Sequence, residues 1–395
     1  MEEDKLKAKV LISWIVISSS LILAAWSFMR MKKQERAEVY YRQGVALRKK
    51  GAYEQAISDF TKAIEANPSH ADAYYQRGWA YEGLGEGNKA LSDYAKAIEL
   101  NPNDHRAYYS RGEAYLRGNR YERAVADFSK AVEIEPDYLD AYFKLAYCNI
   151  KLGRYEDAAK TLQQVLRLRP DYAEVYYSLG STYTMLNRHR EAVDTFKRAL
   201  QLKPNYIEAI YALGSSYAAL GLYSEASRAF LQVIRLKPDY VEAYRSLGSV
   251  YAALSRHREA LEAFKQAIRL RPDYAEAHCG LGMTYFKLKR DQEALKIFKQ
   301  AIRLQPDRAE THYLLGSAYA VLGRHREALE AFKQAIRLSP RYAEAHYNLG
   351  ITYMILGDSS SALDEYKILK DLNRELANNL FNQLYEGGQW SAATD

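Results

Sequence analysis

Residues 254–278 read LSRHREALEAFKQAIRLRPDYAEAH, and residues 322–346 repeat them as LGRHREALEAFKQAIRLSPRYAEAH, with three substitutions. The copies lie 68 residues apart, which is twice 34, and the prolines mark the same interval. Pro68, Pro102, Pro136, Pro170, Pro204, Pro238, Pro272, Pro306 and Pro340 are all nine prolines of the 395-residue chain, each 34 residues from the next. A fixed period of this length is the signature of stacked supersecondary units, none of which buries its hydrophobic face alone. Length by itself suggests two or three domains, but an array grows in one dimension without a single large core.

Within one period, Tyr244, Leu247, Gly248 and Tyr251 fall at i, i+3, i+4 and i+7, one face of a helix. After a break at residues 254–256, Ala260, Leu261, Phe264, Ala267 and Ile268 mark one face of a second helix. Pro272 stops that helix, because proline cannot continue the hydrogen-bond ladder and restricts the residue before it. Asp273 with Glu276 has capping-box spacing for the next helix, and Asp171 with Glu174 and Asp239 with Glu242 repeat it. Glycine recurs at 44, 78, 112, 180, 214, 248, 282, 316 and 350, with Ala146 the single departure. Alanine recurs in the second helix, from Ala56 to Ala362, in all ten repeats. A glycine inside an exposed helix costs about 1 kcal/mol relative to alanine, so its regular return points to close packing of the two helices.

The 34-residue helix–turn–helix period, the L-G-x-x-Y run, the regularly placed Ala, the Phe or Tyr and the closing Pro resemble the tetratricopeptide repeat family. The resemblance covers residues 37–376, ten repeats in register without insertion. It implies an all-α, right-handed superhelical solenoid whose concave side is lined by the first helix of each repeat. The fourth repeat departs locally, with Ala146, Asn149, Leu162 and Val165 where others carry Gly, Tyr, Phe and Ala. The tenth has Arg374 in place of the proline, and residues 375–385 read as a capping helix with Leu376, Leu380, Phe381 and Leu384 inward. Solenoids need such a cap to cover the last face.

Ahead of the array, residues 10–29, VLISWIVISSSLILAAWSFM, carry no charge. Twenty helical residues at about 1.5 Å each span a bilayer core of about 30 Å. Lys9 and Arg30 fence the run, and Trp14 and Trp26 lie toward its ends, where interfacial aromatics are favoured. Ala25-Trp26-Ser27 would suit a signal-peptide cleavage, but the run is long and the chain opens on acidic residues. The reading is a tail at 1–9, a single-pass membrane helix at 10–29, a basic helical linker at 30–36, the array at 37–376, and a cap and tail at 377–395. Arg30, Lys32, Lys33 and Arg36 outnumber Lys5, Lys7 and Lys9, which leans the array toward the cytoplasmic side.

The remaining composition excludes more than it suggests. The net charge of +7, from 56 Lys+Arg against 49 Asp+Glu, reflects cations recurring before the prolines, where they complement helix C-termini. No nucleic-acid module is present, so no nucleic-acid partner is expected. Cys148 and Cys279 are the only cysteines and form no CxxC pair. His189, His257 and His325 sit in Arg-His-Arg turns, and His278, His312 and His346 replace a first-helix aromatic. Both sets follow from duplication, and neither makes a metal site. Few residues lie outside the array, so no catalytic domain, catalytic residue or cofactor is expected.

The expected function is that of a membrane-anchored scaffold or adaptor whose concave groove binds an extended segment or helix of a protein partner. Two rows on the first helices are the candidate contacts. One contains Tyr41, Tyr75, Tyr109, Phe143, Tyr177, Tyr211, Arg245, Tyr313 and Tyr347, and the next contains Trp79, Tyr147, Ser181, Ser215, Ser249 and Ser317. Tyrosine offers large contact area at low entropic cost, which suits such a surface. The competing reading is that the tyrosines pad the core between repeats. Some family members grip a chaperone's C-terminal carboxylate with Lys and Asn in these rows. Tyrosine and serine stand there instead, so no such clamp is expected. Alternative uses of the array are a structural subunit of a membrane complex, a self-assembling coat or homo-oligomer, and a receptor for precursor or client proteins.

Overall fold

A computed structural model describes the backbone of residues 2–386 and the side chains of Leu23 and residues 26–384. Every regular element among the described residues is an α-helix. The chain divides into two units, Met1–Asn187 and Arg188–Asp395. The first holds α1 (Glu2–Lys49), α2 (Tyr53–Ala66), α3 (Ala71–Gly83), α4 (Gly87–Leu100), α5 (His105–Arg117), α6 (Tyr121–Ile134), α7 (Leu139–Lys151), α8 (Tyr155–Leu168) and α9 (Ala173–Met185). The second holds α10 (His189–Leu202), α11 (Ile207–Ala219), α12 (Tyr223–Leu236), α13 (Val241–Ala253), α14 (His257–Leu270), α15 (Ala275–Lys287) and α16 (Asp291–Leu304). It continues with α17 (Ala309–Val321), α18 (His325–Leu338), α19 (Ala343–Ile355), α20 (Ser359–Leu372) and α21 (Arg374–Glu386). Within each unit successive helices pack as neighbours, and each stack is a solenoid of helix pairs.

Backbone chemistry explains the ends of these helices. Before Pro272, Arg271 leaves the helical region at φ −137°, ψ 92°, as the ring of a following proline demands. The capping boxes expected at Asp171, Asp239 and Asp273 do not form. The N-cap residues are the tyrosines that follow, Tyr172, Tyr240 and Tyr274, and none makes a side-chain cap bond. Each aspartate therefore stands one residue too early. The carboxylate caps that do form are Asp104, accepting from the Arg106 N–H at 3.0 Å, and Asp358, accepting from Ser361 N–H at 3.1 Å. Between first and second helices the turn needs one left-handed residue. Gly323 supplies it at φ 71°, whereas Ser255 and Lys289 adopt φ 57° and 56° with a Cβ.

The recurring glycine is explained by the ring that lies over it. A Cβ on Gly248 would sit 2.9 Å from Phe264, and one on Gly316 would sit 2.6 Å from Phe332. Gly44 and Gly112 meet Phe60 and Phe128 in the same way, while Gly78 meets Tyr94. These rings are almost completely buried, each worth about 1.5–3 kcal/mol of hydrophobic stabilisation. In the fourth repeat both members change together, Ala146 standing for glycine and Leu162 for phenylalanine, and both stay buried. The smaller side chain leaves room for the added methyl.

At the C-terminal end α21 packs on α19 and α20. Leu380 and Leu384 are buried, Leu376 and Phe381 partly so, and Phe381 stacks on Tyr366 at 5.4 Å. Leu380, not a ring of α20, now occupies the space over Gly350. At the other end α1 continues as one helix from the described residues of the linker into the first repeat. Most side chains of the expected anchor at 10–29 lie outside the described residues. Among the described residues no helix is long and apolar enough to cross a membrane.

Candidate partner-binding face

The first helices of adjacent repeats touch within each unit, α1 with α3 and α3 with α5, then α11 with α13 through to α17 with α19. Residues four apart along each helix share its outward face. The first expected row is largely built into the stack. Tyr211 lies 5.5 Å from Phe230 of its own repeat and 5.3 Å from Tyr240 of the next turn. Tyr313 does the same with Phe332 and Tyr342, and Tyr109 with Phe128 and Tyr138. Tyr41 rests on Phe60 and His70, Tyr75 on Tyr94, and Phe143 on Tyr172. Tyr177 and Tyr347 are half-buried like the rest.

The hydroxyl edges of these rings knit one first helix to the next. Tyr211 Oη lies 3.1 Å from Ser246 Oγ, Asn348 donates to Tyr313 Oη at 3.1 Å, and Gln383 donates to Tyr347 Oη at 3.4 Å. Burial pushes the Tyr342 phenol up to about 12, with the neighbouring Tyr313 adding to it, and Tyr138 likewise to about 12. Both phenols therefore stay neutral near pH 7. Arg245 interrupts the row, donating to Ser246 Oγ at 3.0 Å. Cys279 follows one repeat later, buried, with its thiol raised by that burial.

The second row is where side chains reach solvent, and it differs between the units. In the first unit Trp79 is 37% and Tyr147 46% exposed. The Arg48 guanidinium stands 4.0 Å above the Trp79 ring, and Tyr53 meets that ring edge-on at 6.3 Å. Lys144 pairs with Glu113 at 3.0 Å, Arg117 pairs with Glu82, and Lys151 lies 5.4 Å from the Tyr147 ring centre. Sequence reading did not single out Arg48, Glu82, Lys144 or Lys151. Arg48 with Glu82, and Arg117 with Lys151, lie 34 residues apart near the ends of first helices, and that recurrence was the available signal.

In the second unit the same row carries Ser215, Ser249 and Ser317, whose hydroxyls donate to the carbonyls of Tyr211, Arg245 and Tyr313 on their own helices. They offer a small, self-satisfied surface. Ser181, on α9 of the first unit, is half-buried. Apolar side chains rise beside the serine row, with Met283 40%, Val321 55% and Ile355 55% exposed. One unit thus presents aromatic rings with guanidinium and carboxylate groups, and the other presents small residues bordered by aliphatic ones.

The three first-helix histidines are held by local hydrogen bonds. His278, His312 and His346 place Nε2 2.9, 2.9 and 3.0 Å from the carbonyls of Pro272, Pro306 and Pro340, so Nε2 carries the proton in each. His346 also places Nδ1 2.6 Å from Glu365. Among the described residues no group of three or more His, Cys, Asp or Glu could hold a metal ion.

Comparisons agree with this architecture. Residues 173–378 match the family model described as the cilia and flagella-associated protein 70 C-terminal domain. Residues 37–70, 75–138 and 115–181 match tetratricopeptide repeat models. Among solved structures, the C-terminal part of a TPR repeat-containing protein from Cytophaga hutchinsonii is similar at TM-score 0.52 and 21% identity, over 61% of this chain and 99% of that one. The APC/C hetero-tetramer Cut9–Hcn1 is similar at TM-score 0.50 and 18% identity, over 89% of this chain and 84% of that one. YrrB, described as a TPR protein with an unusual peptide-binding site, is 28% identical over 47% of this chain and 95% of that one, at TM-score 0.42. No curated protein matches the chain.

Proposed function

Because the chain belongs to the tetratricopeptide-repeat family of the cilia and flagella-associated protein 70 C-terminal domain, matched over residues 173–378, we propose that it is a membrane-anchored scaffold. It recruits a protein partner along the outward faces of its first helices. Tetratricopeptide repeats mediate protein–protein interaction, and the observation that carries the reading is the exposed second row. Trp, Tyr and Arg are the residues most enriched among binding hot spots. Trp79 with Arg48 over it, and Tyr147 with Lys151, are such groups left open to solvent. The scaffold is non-catalytic in this reading, and the uncharged run at 10–29 holds it in a bilayer with the array on the cytoplasmic side.

The fully laddered tyrosines are poor probes of binding, because removing Tyr211 or Tyr313 would open the stack itself. Trp79→Ala with Tyr147→Ala tests the face without touching the core rings. Affinity capture from the native membrane should lose partner recovery at least tenfold, with unchanged circular dichroism. Full recovery would remove the groove from the argument. Protease accessibility in sealed vesicles tests the side of the membrane separately, and complete protection of the array from added protease in inside-out vesicles, whose cytoplasmic face points outward, would reverse it.

A further inference from the structure

The least covered described segment is α1 between Trp26 and Arg36, where every side chain is exposed, including Trp26, Phe28, Met29 and Met31. Cations alternate with these apolar groups. Arg30 lies 5.8 Å from the Trp26 ring centre and Lys32 lies 4.9 Å from that of Phe28. Just beyond them α1 and α2 form a cleft of about 440 Å³ lined by Lys33, Arg36, Tyr40, Lys62, Glu65 and Ala66. Arg36 donates to Tyr40 Oη at 3.4 Å, and Lys62 Nζ lies 5.4 Å from the Tyr40 ring centre and 2.9 Å from Asp59. Three cations thus converge on the cleft, against Glu65 in its lining and Asp59 paired with Lys62, which leaves Lys33 and Arg36 as its uncompensated charges.

We propose that this cleft binds the phosphate of an anionic membrane lipid, with Lys33 and Arg36 as its principal partners and Lys62 closing the far wall. The proposal rests on the reading of residues 10–29 as a membrane helix. At about 1.5 Å per residue, Lys33 stands about 6 Å and Arg36 about 10 Å beyond Met29. The headgroup layer outside a bilayer core is about 5–8 Å thick, so Lys33 lies within it and the long Arg36 side chain reaches it. Side chains on a helix tilt toward its N-terminus, which for α1 is the membrane end. The exposed rings and methionines then meet the interface, where amphipathic aromatics are favoured. A lipid phosphate is favoured over a free one because the cleft opens beside an apolar helix surface that lipid chains would cover.

The test reconstitutes the full chain in phosphatidylcholine vesicles with and without phosphatidylglycerol. Native mass spectrometry counts the phosphatidylglycerol retained. Acetylation of Lys33 and Lys62, referenced to exposed Lys367, reports their shielding. Phosphatidylglycerol should bind the native chain and shield both lysines, and inorganic phosphate should not displace it. In the Lys33→Gln, Arg36→Gln, Lys62→Gln variant its binding should fall about a hundredfold, as expected for three lost interfacial cations. Undiminished binding by that variant overturns the proposal, and displacement by inorganic phosphate reassigns the cleft to soluble anions. Alkaline-carbonate extraction distinguishes the premise. Release of the native chain from vesicles overturns the anchor and the lipid site together, whereas retention with no lysine shielding overturns the lipid site alone.

Discussion

Repeats two and three of the first unit and repeats seven and nine of the second close the same helix–helix contact with opposite chemistry. In the first unit Arg77 makes two hydrogen bonds to Asp93, both 2.8 Å, and a third to Thr61 at 3.0 Å. Arg111 holds Asp127 at 2.8 and 2.7 Å. In the second unit the equivalent positions are Leu247 with Ala263 and Leu315 with Ala331, all buried. Ion pairs taken from water recover their desolvation cost only when geometry and hydrogen bonding are complete, and an apolar replacement is often no worse. The lesson is that the fold requires a filled contact, not a particular polarity.

The widest gap between the two solutions should open when one is left half-finished. Arg77→Leu strands the buried Asp93 carboxylate and should destabilise the α3–α4 pair by about 3–5 kcal/mol, read as lost hydrogen-exchange protection there. Adding Asp93→Ala supplies the second unit's solution and should restore protection to within about 1 kcal/mol. A double variant as weak as the single one would break the equivalence. The apolar solution has its own sensitive point. Gly248→Ala drives a methyl into Phe264 and should cost about 1–3 kcal/mol by overpacking. Phe264→Leu on that background copies the Ala146 and Leu162 pair of the fourth repeat and should recover most of the loss in a thermal melt.

The charged solution returns once in the second unit. Glu365 occupies in α20 the place of Asp93 in α4, and its partner is His346 at 2.6 Å. Burial pulls the His346 pKa down, but the hydrogen bond to Glu365, the Pro340 carbonyl and the carboxylate's charge together leave it raised. A raised folded pKa means the pair's stabilisation is complete below the unfolded value of about 6.5 and lost as pH climbs through the folded one. Amide protection of α19 and α20 should therefore fall across that window in the native chain and stay flat in Glu365→Gln. The smallest effect concerns the turns. Lys289 holds φ 56° where Gly323 serves the next repeat, and Lys289→Gly should gain about 0.5–1 kcal/mol by thermal melt.

Helix positions were legible because proline and the 34-residue glycine and alanine rows act locally and repeat. The expected caps failed because aspartate at that spacing looks like a capping box, while tyrosine takes the N-cap. The tyrosine row was ambiguous in sequence, since a ring between repeats and a ring facing solvent have the same spacing. Only the contacts with Phe230, Phe332 and the next turn's tyrosines separate them. The Arg77–Asp93 pair had a readable trace: in repeats two and three arginine stands before the glycine with aspartate 16 residues on, although the first repeat carries Asp59 with Gln43 instead. The difference between the two exposed faces appears only when each position is compared across repeats.

The helices α14 and α18 share one fourteen-residue sequence, HREALEAFKQAIRL. Joining Arg256 to His325 would delete two whole periods and still read Arg-His-Arg across the seam. The α13 helix would then meet in α18 the same fourteen residues it meets now in α14, while α1 and α21 stayed the first and last helices. The array is in this sense graduated: its length is adjustable in steps, and a recombination between the copies trims the reach of the proposed partner-binding face without redesigning either terminus.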